Sequence, residues 1–447
     1  MNAQPLISGT DLDRVLAWRA DGPRRVGDFL AEAAALAALL PAGGALLNLC
    51  QDRYRFALGF AAGLLGGRVS LQPSSQSAET LHDLQAGFPD LVCLVDGDTD
   101  CHGLPRFDFP ALPAVDRDAV GAVPGIPADR LAAILFTSGS TGKPQAQPKT
   151  WGKLVANGRA GAAALGLNGR PHAIVGTVPV QHSYGFESTL LLALHGGCSF
   201  WAGKPFYPQD IAAALAAVPA PRLLVTTPFH LSTLLAAGIE LPPTDLLLSA
   251  TAPLSTALAA EAEARTGAPL LEIYGSTESG QLACRRTTAG DAWTLLPGTR
   301  IDTDGDTAYA HGAHVEGRVA LSDLLEALPD GRFRLVGRHA DLVNIAGRRT
   351  SLAYLNHQIA AIPGVVDAAF FLPDDAGPDG IARLAAFVVA PGIERRALLA
   401  ALRERIDAIF LPRPLVLVDA LPRNSTGKLP RSGLQALYAE KVGNGRR

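Results

Sequence analysis

From Val26 to about Val336, Ala/Leu-rich stretches with helical spacing alternate with short apolar runs, among them Ala45–Leu49, Val92–Val95, Ala132–Phe136, Ala173–Val178 and Leu223–Thr226. Such alternation predicts helices packed on largely parallel sheets. Between Arg300 and Leu335 the pattern changes. Asp-Gly pairs at 304–305 and 330–331 separate short strand-like pieces, as in a small antiparallel unit. From Arg338 the order reads strand, helix (Tyr354–Ile362), strand (Val365–Leu372), strand (Ala382–Val389), helix (Arg395–Ile409) and a final loop. The expected fold class is α/β. A large N-terminal domain, residues 1–337, carries helices on mostly parallel sheets plus the antiparallel unit, and a small α+β domain spans residues 338–447.

Length supports the division, because 447 residues exceed the size at which one hydrophobic core usually keeps growing. With 48% hydrophobic residues, 18% charged residues and a formal charge of -3, the chain is neither disordered nor a nucleic-acid-coating protein. Its longest apolar stretches, such as Phe56–Gly67, are glycine-interrupted and short of the ~20 residues a membrane span needs, so no span is expected. Met1 is followed by Asn-Ala-Gln-Pro and then Asp11 and Asp13, which is no export leader. Cys50, Cys93, Cys101, Cys198 and Cys284 are scattered and never closely paired, so a reducing cytoplasm is the expected location. Against 33 Arg there are six Lys, and two of these, Lys143 and Lys428, sit in Thr-Gly-Lys triplets. A compact point charge on a flexible stem is a role that the planar Arg fork cannot fill.

Three segments carry chemistry. Phe136-Thr-Ser-Gly-Ser-Thr-Gly-Lys-Pro144 follows an apolar run. Its glycines let the backbone approach a polyanion, and its N–H groups with the hydroxyls of Thr137, Ser138, Ser140 and Thr141 can bind phosphate oxygens. It is not a Walker A loop: only two residues separate Gly139 from Gly142, and Pro144 follows Lys143 where Ser or Thr is required. In Leu270-Leu-Glu-Ile-Tyr-Gly-Ser-Thr-Glu-Ser-Gly280, Tyr274 can stack on a base, Thr277 can bind phosphate and Glu278 can hold Mg²⁺. Leu421-Pro-Arg-Asn-Ser-Thr-Gly-Lys-Leu-Pro-Arg431 is a polar glycine loop with one lysine.

In this order and spacing the three segments resemble the acyl-adenylate-forming superfamily of acyl-CoA and aryl-CoA synthetases, stand-alone adenylation domains and luciferases. The resemblance runs from about Leu131 to Arg431. It implies ATP and Mg²⁺, a carboxylic acid substrate, and transfer of the acyl group to coenzyme A or to the phosphopantetheine of an acyl carrier protein. It further implies nucleotide-binding roles for Thr137, Ser138, Gly139, Ser140, Thr141, Gly142, Lys143, Tyr274, Gly275, Ser276, Asp323, Arg338 and Arg349, with Asp323 and Arg338 at the ribose. Lys428, Thr277 and Glu278 take the catalytic roles, Glu278 as metal ligand. His182, Ser183, Tyr184, Phe186, Ser249, Ala250, Thr251 and Ala252 line the acyl pocket, Gly347 lies on the thiol's path, and the C-terminal domain is mobile.

Departures from the family pattern are local. Gln145 and Ala146 stand where the loop usually continues Lys-Gly, shifting phosphate neutralisation toward Lys143, Lys149 or Arg349. Trp151 replaces a common histidine, Ser249-Ala250-Thr251 replaces Ser-Gly-Gly, and Ala340, beside Asp341, takes the acidic hinge position. Segment 179–187 lacks the aspartate that holds an amino-acid substrate, although Glu187 lies at its edge. Tyr184 and Phe186 suit a flat aryl ring, and Lys149-Thr-Trp-Gly152 looks like the aryl-polyene pigment-associated enzymes, so an aryl or cinnamate-like acid is favoured. The alternatives are a non-catalytic nucleotide- or acyl-adenylate-binding protein and a luciferase-type oxygenase.

Overall fold

Short runs such as Ala45–Asn48, Val92–Val95, Ala173–Gly176 and Leu246–Ser249 are buried at every residue, because helices cover both faces of the parallel sheets they enter. In the computed structural model these runs build two large sheets. The structure describes residues 2–73, 75–113, 120–137, 145–305, 307–338, 342–345, 348–373, 383–423 and 429–442, without the side chains of Arg338, Leu342, Asn344, Arg348 and Arg349.

The first sheet has six strands in the order Gln145–Thr150, Leu131–Thr137, Val69–Gln72, Ala45–Asn48, Val92–Val95, Arg106–Asp108. All its pairings are parallel except the first. The second has nine strands, with Leu270–Ser276, Leu246–Ser249, Arg222–Thr226, Ala173–Gly176 and Ser199–Trp201 parallel and adjacent in that order. A single core joins the sheets, with Phe56, Phe60, Trp151 and Phe186 fully buried in it. Trp151, at the family's histidine position, is a core residue: its ring lies 6.1 Å from Phe60 and 5.1 Å from His195.

The expected antiparallel unit forms from Thr299–Asp304, Thr307–Gly312 and Arg318–Ala320, beside the hairpin of Asp323–Ala327 with Phe333–Arg338. Beyond it a smaller C-terminal domain holds its own core around Phe370, Leu384, Val388 and Leu398. Two expectations there are corrected. The second helix covers Arg395–Arg403 rather than reaching Ile409, and Asp407 instead caps a short turn by accepting from Ile409 N. Among the described residues the last element is also a helix, Arg431–Lys441, where a loop was expected. Leu434, Leu437 and Tyr438, spaced for one helical face, pack it on Phe371 and Phe387. Among the described residues no helix is long and apolar enough to cross a membrane, and all five cysteines are free.

Candidate active site

The strand Leu131–Thr137 turns back into Gln145–Thr150, with Thr137 opposite Gln145, so the phosphate-loop segment joins two paired strands. Ser138, Gly139, Ser140, Thr141, Gly142 and Lys143 lie outside the described residues, as do Ala340, Asp341, Gly347 and Lys428.

Tyr274, Gly275 and Ser276 end the strand Leu270–Ser276, which pairs with Gly280–Arg286 across the turn that holds Thr277 and Glu278. Gly275 is required there, since a Cβ would sit 2.2 Å from the Gly280 carbonyl oxygen. The turn is cross-braced, Ser276 N donating to Ser279 Oγ and Ser279 N to Ser276 Oγ, each at 3.2 Å. Thr277 and Glu278 are left half-exposed at its tip.

Tyr274 donates its hydroxyl proton to Asp323 Oδ2 at 2.9 Å. Its ring packs against Trp293 and Phe333, centroids 5.7 and 5.8 Å away. Asp323 in turn faces Arg338 across its hairpin. Tyr274, Asp323 and Arg338, distant in sequence, therefore meet in one place. Arg349 lies opposite Asn344 in a separate hairpin, Leu342–Ile345 with Arg348–Ser351.

Lys149 is not a solvent-facing cation for phosphate. It is 4% exposed, and its Nζ donates to the carbonyl oxygen of Glu278 at 2.7 Å. Burial lowers its affinity for a proton, while the charges of Glu187, Glu316 and Glu278 act to keep it protonated. Glu187, also 4% exposed, accepts from Ser183 Oγ and from Gln281 N, both at 3.1 Å, and from Asn157. Its carboxyl is pushed up to about 7 by burial, against the pull of Lys149. Glu187 is thus consumed internally and is no anchor for a substrate amine. Glu316 accepts from Thr150 N and Oγ1 at 2.6 and 2.7 Å, placing a carboxylate at the start of the helix Trp151–Ala164, where the helix dipole favours it.

At the acyl-pocket segment, His182 is half-exposed just before the short helix Ser183–Gly185. The two aromatics expected to line the pocket are taken into the core. Tyr184 is 7% exposed and donates to Leu248 O at 3.0 Å, and Phe186 is fully buried with its ring edge-on to Phe60. Ser249 and Ala250 are buried, and Thr251 and Ala252 partly so. Thr251 has φ +78°, a left-handed conformation that a β-branched side chain resists and that a glycine adopts freely.

No sequence motif marks Asn157, Glu187, Gln281 and Glu316 as members of one polar assembly around Lys149, nor the contacts among Thr177, Thr226 and His230. The one signal available was a charged or polar residue inside an apolar run, as at Glu187.

Residues 34–313 match the model of the AMP-binding enzyme family, and residues 356–428 that of the AMP-binding enzyme C-terminal domain. The chain belongs to the AMP-binding enzyme family. A 4-coumarate–CoA ligase of Rhodobacter capsulatus is 32% identical over 301 residues, covering 66% of this chain and 74% of that enzyme. The fold is that of o-succinylbenzoate CoA synthetase from Bacillus subtilis (TM-score 0.82, 19% identity, 97% of this chain and 99% of the other). It is equally that of ATP-bound MatB from Rhodopseudomonas palustris (TM-score 0.80, 20% identity, 96% of each chain). In this AMP-binding enzyme, Tyr274, Gly275, Ser276, Asp323 and Arg338 lie at the end of the Leu270–Ser276 strand and in the hairpin beside it, whereas Thr137 and Arg349 lie in other strands.

Proposed function

We propose that this chain uses ATP to activate an aryl or cinnamate-like carboxylic acid and then passes the acyl group to a pantetheine thiol of coenzyme A or of an acyl carrier protein. The observation that carries the reading is the Tyr274–Asp323 hydrogen bond, with Arg338 opposite Asp323. Both residues lie beside the turn that bears Thr277 and Glu278, and we assign Tyr274 to the base and Asp323 to the ribose hydroxyls. The relative named a 4-coumarate–CoA ligase supports an arylpropenoic acid.

A carboxylate is a poor acyl donor because oxide is a poor leaving group. Its oxygen therefore attacks the α-phosphorus of ATP, a new P–O bond forms, and the bond to pyrophosphate breaks in line. Lys428 is assigned the bridge between the carboxylate and the α-phosphate oxygens, where its charge offsets the negative charge of the transition state. Thr277 donates its hydroxyl to phosphate. One carboxylate with phosphate and water oxygens is an ordinary Mg²⁺ donor set, and Glu278, half-exposed at its turn, fits it. The ion would neutralise charge on the phosphates. In the second step the thiol sulfur attacks the acyl carbon, AMP leaves, and the thiol proton passes to solvent. For that step we assign residues 1–337 and 338–447 to two domains that reorient, bringing Gly347 toward the thiol and withdrawing Lys428.

The test is acid-dependent pyrophosphate release across aryl, cinnamyl and aliphatic acids, followed by coenzyme A against carrier protein as acceptor. Aryl or cinnamyl acids release pyrophosphate fastest, and Lys428→Ala abolishes release while retaining thioester formation from synthetic acyl-AMP. Absence of acid-dependent release from the folded protein rejects the reading.

A further inference from the structure

The strands Ala173–Gly176, Arg222–Thr226 and Leu246–Ser249 end side by side, Thr226 in register with Ser249 and Ser249 with Glu272. The neighbouring strand runs on four residues past Glu272 to Ser276, roughly 13 Å at strand rise, so the nucleotide turn stands well above these strand ends. That offset is about the length of an arylpropenoic acid.

A hydrogen-bonded trio lies at these strand ends. Thr177 Oγ1 donates to Thr226 Oγ1 at 3.1 Å and lies 2.8 Å from Nδ1 of His230. Having given its only proton to Thr226, Thr177 accepts at the imidazole, so the ring proton sits on Nδ1 and Nε2 holds a free lone pair. His230 is 5% exposed, and Nε2 has no hydrogen-bond partner among the described residues. Burial lowers the proton affinity of the imidazole, which keeps it neutral and Nε2 an acceptor. Ser249 Oγ, fully buried, is likewise without a partner among them. Buried polar atoms are nearly always paired, and an unpaired one is costly, so Nε2 of His230 is suited to an incoming donor. The surroundings are aromatic. Phe206 and Phe229 stand 5.4 and 5.8 Å from the imidazole centroid, and they stay 45% and 46% exposed, unusual for phenylalanine.

We propose that Nε2 of His230 accepts a hydrogen bond from a hydroxyl or amino group at the far end of the aryl acid, making His230 a specificity-determining residue for ring-substituted acids. This rests on the aryl-acid reading above. Thr177 is a positioning residue that holds the tautomer, and Phe206 and Phe229 supply apolar faces for the ring.

The test compares 4-hydroxycinnamate, 4-methoxycinnamate and cinnamate in pyrophosphate release by the full chain with ATP. The methoxy acid keeps the ring oxygen but donates nothing. The hydroxy acid exceeds both others in kcat/KM by at least about tenfold, since a site built around a hydrogen bond discriminates against analogues that lack it. In His230→Phe the preference falls to within about threefold, and Thr177→Val, which frees the tautomer, falls between. Equal kcat/KM for the three acids in the unmodified chain overturns the proposal while leaving the aryl-acid reading in place, and needs no variant to fold. Turnover of aliphatic acids alone overturns both. An unaltered preference in folded His230→Phe assigns the selection elsewhere and overturns the role of His230.

Discussion

The Nζ of Lys149 donates to the carbonyl oxygen of Glu278 at 2.7 Å, tying the strand that follows the phosphate-loop segment to the turn that carries the candidate metal ligand. Lys149→Met keeps most of the side-chain volume and removes the tie, leaving the Glu278 carbonyl without its donor and Glu187 without its neighbouring cation. The expected result is a fall in kcat for pyrophosphate release of roughly ten- to a hundredfold, because small displacements at a reacting centre are expensive. A stability loss of about 1–3 kcal/mol in urea unfolding accompanies it. Unchanged kinetics in the folded variant would mean that the turn holds its shape alone.

Glu187 makes stability depend on pH. Burial raises its carboxyl from an ordinary 4.5 to about 7, so across that window the folded chain keeps a proton that the unfolded chain has released. Stability conferred by the protonated form is complete at low pH and declines as pH rises from about 4.5 toward 7. The total effect is on the order of 3 kcal/mol for a shift of this size. Glu187→Gln should flatten that decline in urea midpoints measured between pH 5 and 8. A slope equal to that of the unmodified chain assigns the decline to other groups.

Asp323 is expected to act at the ribose, with Tyr274 holding one of its oxygens. Asp323→Ala should weaken ATP binding about tenfold or more, the scale of a charge-assisted hydrogen bond. Tyr274→Phe should weaken it less, since the ring remains. Isothermal calorimetry with ATP decides, and an unaltered affinity in Asp323→Ala removes that residue from the nucleotide site.

Thr251 has φ +78°, in the region where glycine is favoured. Thr251→Gly relieves a strain of about 1–2 kcal/mol and removes a side chain from the candidate acyl-pocket wall. Thermal unfolding should shift upward by a degree or more, and the range of acids accepted should widen toward bulkier rings. A lower melting temperature would show that the threonine's contacts outweigh its strain.

Much of this molecule is local in origin and was readable from the chain. Apolar runs such as Val92–Val95 and Leu223–Thr226 become buried parallel strands because their own side chains demand cover on both faces. The Gly275–Gly280 turn was equally plain, since its residues supply the shape and hydroxyls it needs. The last helix was hidden because the polar stretch before it carries a glycine and only three apolar residues, Leu434, Leu437 and Tyr438, mark its inner face.

By itself the sequence determined the fold class and the order of the phosphate, aromatic-carboxylate and lysine segments, all properties of neighbouring residues. The tertiary structure alone decided that Lys149 faces inward to Glu278, that Tyr184 and Phe186 belong to the core, and that His230 meets Thr177. The reason is physical. Strand alternation offers a side chain two faces, but the face that is buried, and the partner that makes a buried charge tolerable, come from distant segments, as Glu278 is 129 residues from Lys149.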